Sequence, residues 1–215
     1  MDWEMNNVVD LLRPHGVIPV VVAETVDHGI DIGEALLAGG LPVAEVTFRT
    51  PVAPEILAAL VARGDLLVGA GTVTTPAQVD IAADIGAAFL VSPGLTESVA
   101  DRARERGIPL VPGAATATEV QRARELGFTT LKFFPAEASG GLPAVRALAA
   151  PFGDVTFIPT GGIGPDSFAD YLAEPAVAAV GGSWMLPREA VLARDRDAIT
   201  RLTAATVARV ARPTP

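Results

Sequence analysis

Residues 66–92 read LLVGAGTVTTPAQVDIAADIGAAFLVS. An apolar run at 66–69 gives way to the turn Gly69-Ala70-Gly71-Thr72. Thr75-Pro76 then supplies a helix N-cap and a first-turn proline, Gly86 closes the helix, and a second apolar run follows at 88–92. Strand, helix, strand is the unit that parallel strands need, because a parallel pair can be joined only by a crossover.

The same alternation continues on both sides of this unit. Further strand candidates lie at 16–22, 43–48, 109–112, 129–134, 155–159 and 178–181, which brings the total to about eight. Thr96-Glu97 and Thr118-Glu119 open two more helices, and Gly107 and Gly127 close them. Near-continuous apolar strands fit a sheet covered on both faces. The expected fold is α/β, a (β/α)8 TIM barrel, with an extra N-terminal helix at 5–12 and a C-terminal helix at 197–210. No Ser- or Gly-rich linker divides the chain, so 1–215 is read as one domain.

Composition narrows the function. Half of the 215 residues are hydrophobic and the formal net charge is -9. No basic stripe offers counter-charge to a phosphate backbone, which argues against nucleic acid. The longest apolar runs are too short to span a bilayer, and Met1-Asp2-Trp3-Glu4 has no basic region leading into an apolar one, so the reading is a cytoplasmic protein without a membrane partner. The absence of cysteine removes thiolate chemistry and disulfides, and His15 and His28 lack metal-ligand spacing. No metal and no cofactor are expected.

Sixteen residues are Lys or Arg, yet Lys132 is the one lysine. A lysine surviving by chance belongs on a polar helix face, whereas this one lies in the apolar run Thr130-Leu131-Lys132-Phe133-Phe134-Pro135. In a barrel the active site forms where strands end, so the polar residues at those ends form a set: Glu45, Thr47, Arg49, Thr72, Ser92, Lys132, Thr160 and Ser183.

An amine attacks a ketone only when unprotonated, and apolar surroundings penalise the charged form. The resulting iminium is an electron sink that permits a carbon-carbon bond two atoms away to break. Glu45 is the candidate for the accompanying proton transfers. Positions 45, 47 and 49 share one strand face, so Glu45, Thr47 and Arg49 are expected to point into the barrel mouth. Glu45 can also serve as a structural partner for Arg49, and the two roles can coexist. Arg49 offers a planar fork to a substrate carboxylate, and Thr72 adds a hydroxyl, although a turn or helix-start bond is an equally good use of that threonine. Thr160-Gly161-Gly162-Ile163-Gly164 and Gly181-Gly182-Ser183 follow the last two strands, where glycines let backbone N–H groups approach a phosphate ester.

With these residues assembled, the chain resembles the bacterial 2-dehydro-3-deoxy-phosphogluconate aldolases, many of which also act on 4-hydroxy-2-oxoglutarate. The resemblance runs from 17 to about 186. Its carriers are Glu45-Val46-Thr47-Phe48-Arg49-Thr50, Val68-Gly69-Ala70-Gly71-Thr72-Val73, Ser92-Pro93-Gly94-Leu95-Thr96, Lys132-Phe133-Phe134-Pro135-Ala136-Glu137, Pro159-Thr160-Gly161-Gly162-Ile163 and Gly181-Gly182-Ser183-Trp184. The resemblance implies a class I aldolase of the Entner-Doudoroff route that yields pyruvate and glyceraldehyde 3-phosphate. By position it implies Lys132 as the Schiff-base residue and Glu45 as the proton carrier. Arg49 and Thr72 would hold the pyruvate part, Thr160 would line the site, and Gly161, Gly162, Gly182 and Ser183 would meet the phosphate. It further implies a homotrimer. Phe48, where relatives often have Leu, and the alanine-rich Pro112-Gly113-Ala114-Ala115-Thr116-Ala117 depart from the pattern.

Two other classes share parts of this pattern. A thiamine-phosphate-synthase-like transferase or an isomerase would use the same glycine loops, but has no need of a lysine inside an apolar strand, and no strand end carries the paired Asp a diphosphate metal requires. A non-catalytic sugar-phosphate binder would have no reason to keep both Glu45 and Lys132.

Overall fold

The alternation of buried runs and capped helices is realised element by element. The computed structural model describes residues 7–210. In chain order the elements are α1 (Asn7–Leu12), β1 (Val17–Val21), α2 (Val26–Ala38), β2 (Val43–Thr47), α3 (Ala53–Arg63), β3 (Leu67–Gly71), α4 (Pro76–Ile85), β4 (Phe89–Val91) and α5 (Glu97–Arg106). They continue with β5 (Leu110–Val111), β6 (Gly113–Ala114), α6 (Ala117–Glu125), β7 (Thr130–Phe133), α7 (Gly141–Ala149), β8 (Thr156–Pro159), α8 (Phe168–Leu172), β9 (Val180–Gly182), α9 (Arg188–Leu192) and α10 (Arg196–Arg209). The expected N-terminal helix starts at Met5, outside the described residues; α1 is its described part.

Local chemistry explains most boundaries. The Thr75 hydroxyl accepts from the Gln78 N–H at 3.3 Å while the Gln78 side chain accepts from the Thr75 N–H, a reciprocal capping box at the start of α4. The start of α6 differs from expectation. Its cap is Thr116 and not Thr118, because only the earlier hydroxyl can reach the N–H of Glu119, three residues on. Thr96 precedes α5 as expected, but its hydroxyl lies 3.4 Å from Ser98 Oγ and makes no cap bond. Gly86 and Gly107 close α4 and α5 in the left-handed conformation, whereas α6 is closed by Leu126, with Gly127 following at positive φ.

Every paired ladder is parallel. One sheet has the order β5-β4-β3-β2-β1-β9 and a second has β6-β7-β8. The expected strand at 109–112 is divided at Pro112: β5 pairs with β4, and β6 pairs with β7. Proline has no N–H to give to a ladder, so the pairing changes partner there while its carbonyl accepts from Lys132 N at 2.9 Å. On the far side, single bridges Phe157↔Val177 and Thr160↔Gly181 link β8 to the run that contains β9. The ladders are therefore two parallel sheets and not one uninterrupted eight-stranded ring.

The third strand is longer than expected, reaching Gly71, because Val46↔Ala70 and Thr47↔Gly71 extend the β2–β3 register. Helices cover the outer faces, with α10 on α2, α2 on α3 and α4 on α5. Phe89, Phe128, Phe133, Phe157 and Phe168 are the largest fully buried side chains of the core. Glu45, Thr47, Ser92, Thr130, Lys132 and Thr160 are the polar side chains buried on or just beyond the strands.

Candidate active site

Strand periodicity puts Glu45 and Thr47 on the same face of β2 and Lys132 on β7, on the other sheet. Lys132 Nζ lies 3.3 Å from Glu45 Oε1, and the two residues are 3% and 2% exposed. Burying two charges together costs several kcal/mol of desolvation per ion, on the order of what their attraction returns, so such a pair is a poor way to stabilise a fold. A buried ion pair in this interior, where the other buried polar side chains on the strands are neutral, points to chemistry. The Phe134 ring stands over the ammonium, 5.2 Å from its centroid to Nζ.

Gly71 is what makes room for the carboxylate. A Cβ at this position would lie 2.6 Å from Glu45 Cγ and 2.8 Å from Cδ, and closer still to Oε1. This use of the glycine turn was not evident from the sequence, where Gly71 was only part of a loop signal. Phe134 was likewise missed as a site residue, since an aromatic in an apolar run reads as core.

The remaining residues fall into two groups. Arg49 is exposed and its Nε donates to Thr72 Oγ1 at 3.3 Å; Thr72 itself sits at φ 57. Arg49 therefore pairs with Thr72 and leaves Glu45 to Lys132. Thr47 is expected to face the barrel mouth, but it is buried and donates to Val21 O at 2.9 Å, tying β2 to β1. Ser92 donates to Gly94 O at 2.5 Å and belongs to the turn after β4.

A cavity of about 200 Å³ opens beside the buried pair, lined by Val20, Arg49, Phe134, Thr160, Gly161, Gly162, Ile163, Gly181, Gly182 and Ser183. It brings together Arg49 and every expected phosphate-end residue. Lys132, Glu45 and Thr72 are not on its wall. Phe134 connects the two regions, facing Nζ on one side and the cavity on the other. Gly161 and Gly162 adopt φ 105 and φ 81, conformations that expose backbone to the cavity and that side chains disfavour. Thr160 donates to Ile158 O at 3.4 Å.

The model of the family described as KDPG and KHG aldolase matches residues 8–202. The chain belongs to that family. A 2-dehydro-3-deoxy-phosphogluconate aldolase of Pseudoalteromonas atlantica is 42% identical over 98% of this chain and 98% of its own. The KHG/KDPG aldolase of Escherichia coli K12 is 44% identical over 89% of this chain and 91% of its own. Among solved structures, the KDPG aldolase of Legionella pneumophila, with pyruvate captured as a covalent carbinolamine intermediate, superposes with a TM-score of 0.89 at 41% identity, covering 92% of this chain and 97% of that one.

Proposed function

We propose that this family member is a class I aldolase cleaving 2-dehydro-3-deoxy-6-phosphogluconate to pyruvate and glyceraldehyde 3-phosphate through an imine on Lys132, as a step of the Entner-Doudoroff pathway. The observation that carries the reading is the 3.3 Å contact between Lys132 Nζ and Glu45 in a buried setting. Lys132 gives a proton to Glu45 and its amine adds to the C2 ketone; Glu45 then returns that proton to the carbinolamine hydroxyl, which leaves as water and yields the iminium beside a Glu45 carboxylate. The Glu45 carboxylate then takes the C4 hydroxyl proton, the C3–C4 bond breaks, and its electrons flow to nitrogen. Glyceraldehyde 3-phosphate departs, Glu45 returns the proton to C3 of the enamine, and water hydrolyses the pyruvate imine. The iminium is the electron sink, so these steps need no metal and no cofactor.

Arg49, backed by Thr72, holds the substrate carboxylate, Thr160 lines the reacting end, and Gly161, Gly162, Gly182 and Ser183 receive the phosphate. Cleavage of 4-hydroxy-2-oxoglutarate to pyruvate and glyoxylate uses the same pair and leaves the phosphate end empty. The two sheets act as one (β/α)8 barrel with the N-terminal helix outside it, in a single domain. The segment shared by β5 and β6 and the bridges Phe157↔Val177 and Thr160↔Gly181 support this closure. The working form is a homotrimer in the cytoplasm, the compartment that retains a substrate carrying both a carboxylate and a phosphate. Among the described residues no helix is long and apolar enough to cross a membrane.

The test is borohydride reduction in the presence of pyruvate, followed by peptide mass spectrometry. A stable adduct on Lys132 is expected. Absence of any adduct, with the folded protein intact, would remove the imine mechanism.

A further inference from the structure

Glu137 ends the motif Lys132-Phe133-Phe134-Pro135-Ala136-Glu137, yet the reaction above gives it nothing to do. Backbone contacts tie its segment to the glycine loop: Ala136 N donates to Thr160 O at 2.8 Å and Glu137 N to Gly161 O at 3.0 Å. Its side chain packs flat against Gly162, where an added Cβ would lie 2.7 Å from Glu137 Cβ and 2.9 Å from Cγ. A carboxylate so close to a phosphate-receiving loop repels the ligand unless something fixes where its charge goes. Among the described residues no cation pairs with Glu137. Its partner is a phenol: Tyr171, on α8 immediately beyond the same loop and 2% exposed, donates to Glu137 Oε1 at 2.6 Å. Burial, with the adjacent Glu137 adding to it, pushes this phenol well above the usual tyrosine range, so it remains a donor. Gly141 leaves the space in which the two groups meet, since a Cβ there would be 3.3 Å from the Tyr171 hydroxyl and 3.4 Å from Glu137 Oε2.

We infer that Tyr171 is a positioning residue for the phosphate end of the site: its hydroxyl holds the Glu137 carboxylate on the α8 side, where it braces Gly161 and Gly162 without opposing the bound anion. The pair thereby favours phosphorylated over unphosphorylated keto acids. This rests on the assignment of the glycine loops to phosphate. Tyr171→Phe keeps the buried ring and frees the carboxylate. Loss of one charge-assisted hydrogen bond corresponds to about a tenfold change.

The experiment measures kcat and KM for 2-dehydro-3-deoxy-6-phosphogluconate and for 4-hydroxy-2-oxoglutarate, together with inhibition by inorganic phosphate, in wild type, Tyr171→Phe and Tyr171→Phe/Glu137→Gln. Expected for Tyr171→Phe is about a tenfold rise in KM for the phosphorylated substrate, with kcat and the 4-hydroxy-2-oxoglutarate kinetics within about twofold. Phosphate inhibition weakens in parallel, and the double variant recovers most of the loss because the freed charge is gone. Equal losses on both substrates, or no recovery in the double variant, overturn the inference and reduce Tyr171 to a packing residue. If wild type is not inhibited competitively by phosphate, the phosphate-loop assignment falls first and this inference with it.

Discussion

Substituting Gly71 by alanine tests whether the placement of Glu45, and not merely its presence, drives turnover. Gly71 is in extended strand backbone that alanine adopts readily, so the perturbation is confined to what the new methyl meets. It would meet Glu45 Cγ at 2.6 Å, against the 3.4 Å at which ordinary van der Waals contact begins, and must push it back by about 0.8 Å. The methylene is part of a side chain that is 2% exposed, so it cannot swing into solvent to escape. A displacement on the order of 1 Å in a catalytic group costs about 100-fold, or about 2.7 kcal/mol in the proton-transfer steps. The assay is pyruvate release under saturating phosphorylated substrate, with borohydride trapping of pyruvate as a control for the lysine. The expected result is a kcat about 100-fold lower with Lys132 still trapped, at a reduced rate. A kcat within threefold of wild type, in a folded variant, would refute the claim that Gly71 and Glu45 are sterically coupled and that the carboxylate works from where it lies.

Glu45→Gln keeps the shape of the side chain but removes the proton carrier, so cleavage should fall by roughly 100-fold or more while the pyruvate adduct on Lys132 still forms under borohydride; unimpaired cleavage would assign the proton transfers to another group. Arg49→Ala should raise KM for both keto-acid substrates by about tenfold or more, because both carry the same carboxylate, and an unchanged KM would separate Arg49 from that end. Acid stability should depend on Asp31, a buried carboxylate on α2 whose proton affinity is held below the usual range, chiefly by the 2.5 Å hydrogen bond from Arg194. A carboxylate with a depressed folded value stabilises the fold above its unfolded value and loses that contribution as pH falls through the folded one. The stability gap between wild type and Asp31→Asn, read from urea unfolding, should therefore be full at neutral pH and shrink below about pH 4; a gap independent of pH would contradict the assignment.

The sequence by itself determined the class of fold and the identity of the central residue. The parallel alternation is legible because burial on both faces writes near-continuous apolar runs, and because helix caps such as Thr75-Pro76 and closers such as Gly86 are local chemistry. Lys132 is legible because a lone lysine in an apolar strand is costly wherever the chain folds. Face-sharing along β2 correctly put Glu45 inward, since the period of two is a property of one strand. The same rule put Thr47 and Arg49 on that face as well, but it could not tell that the Thr47 hydroxyl is used by the neighbouring strand or that Arg49 pairs with Thr72. Thr118 failed as a cap for a similar reason: the choice between two threonines depends on which hydroxyl reaches the N–H of Glu119. Only the tertiary structure joined Lys132 to Glu45 across 87 residues, placed Gly71 against the carboxylate, divided the fifth strand at Pro112, and brought Tyr171 to Glu137. Each of these depends on the relative register of several ladders, and register is fixed by the packing of whole sheets and helices, not by any segment read alone.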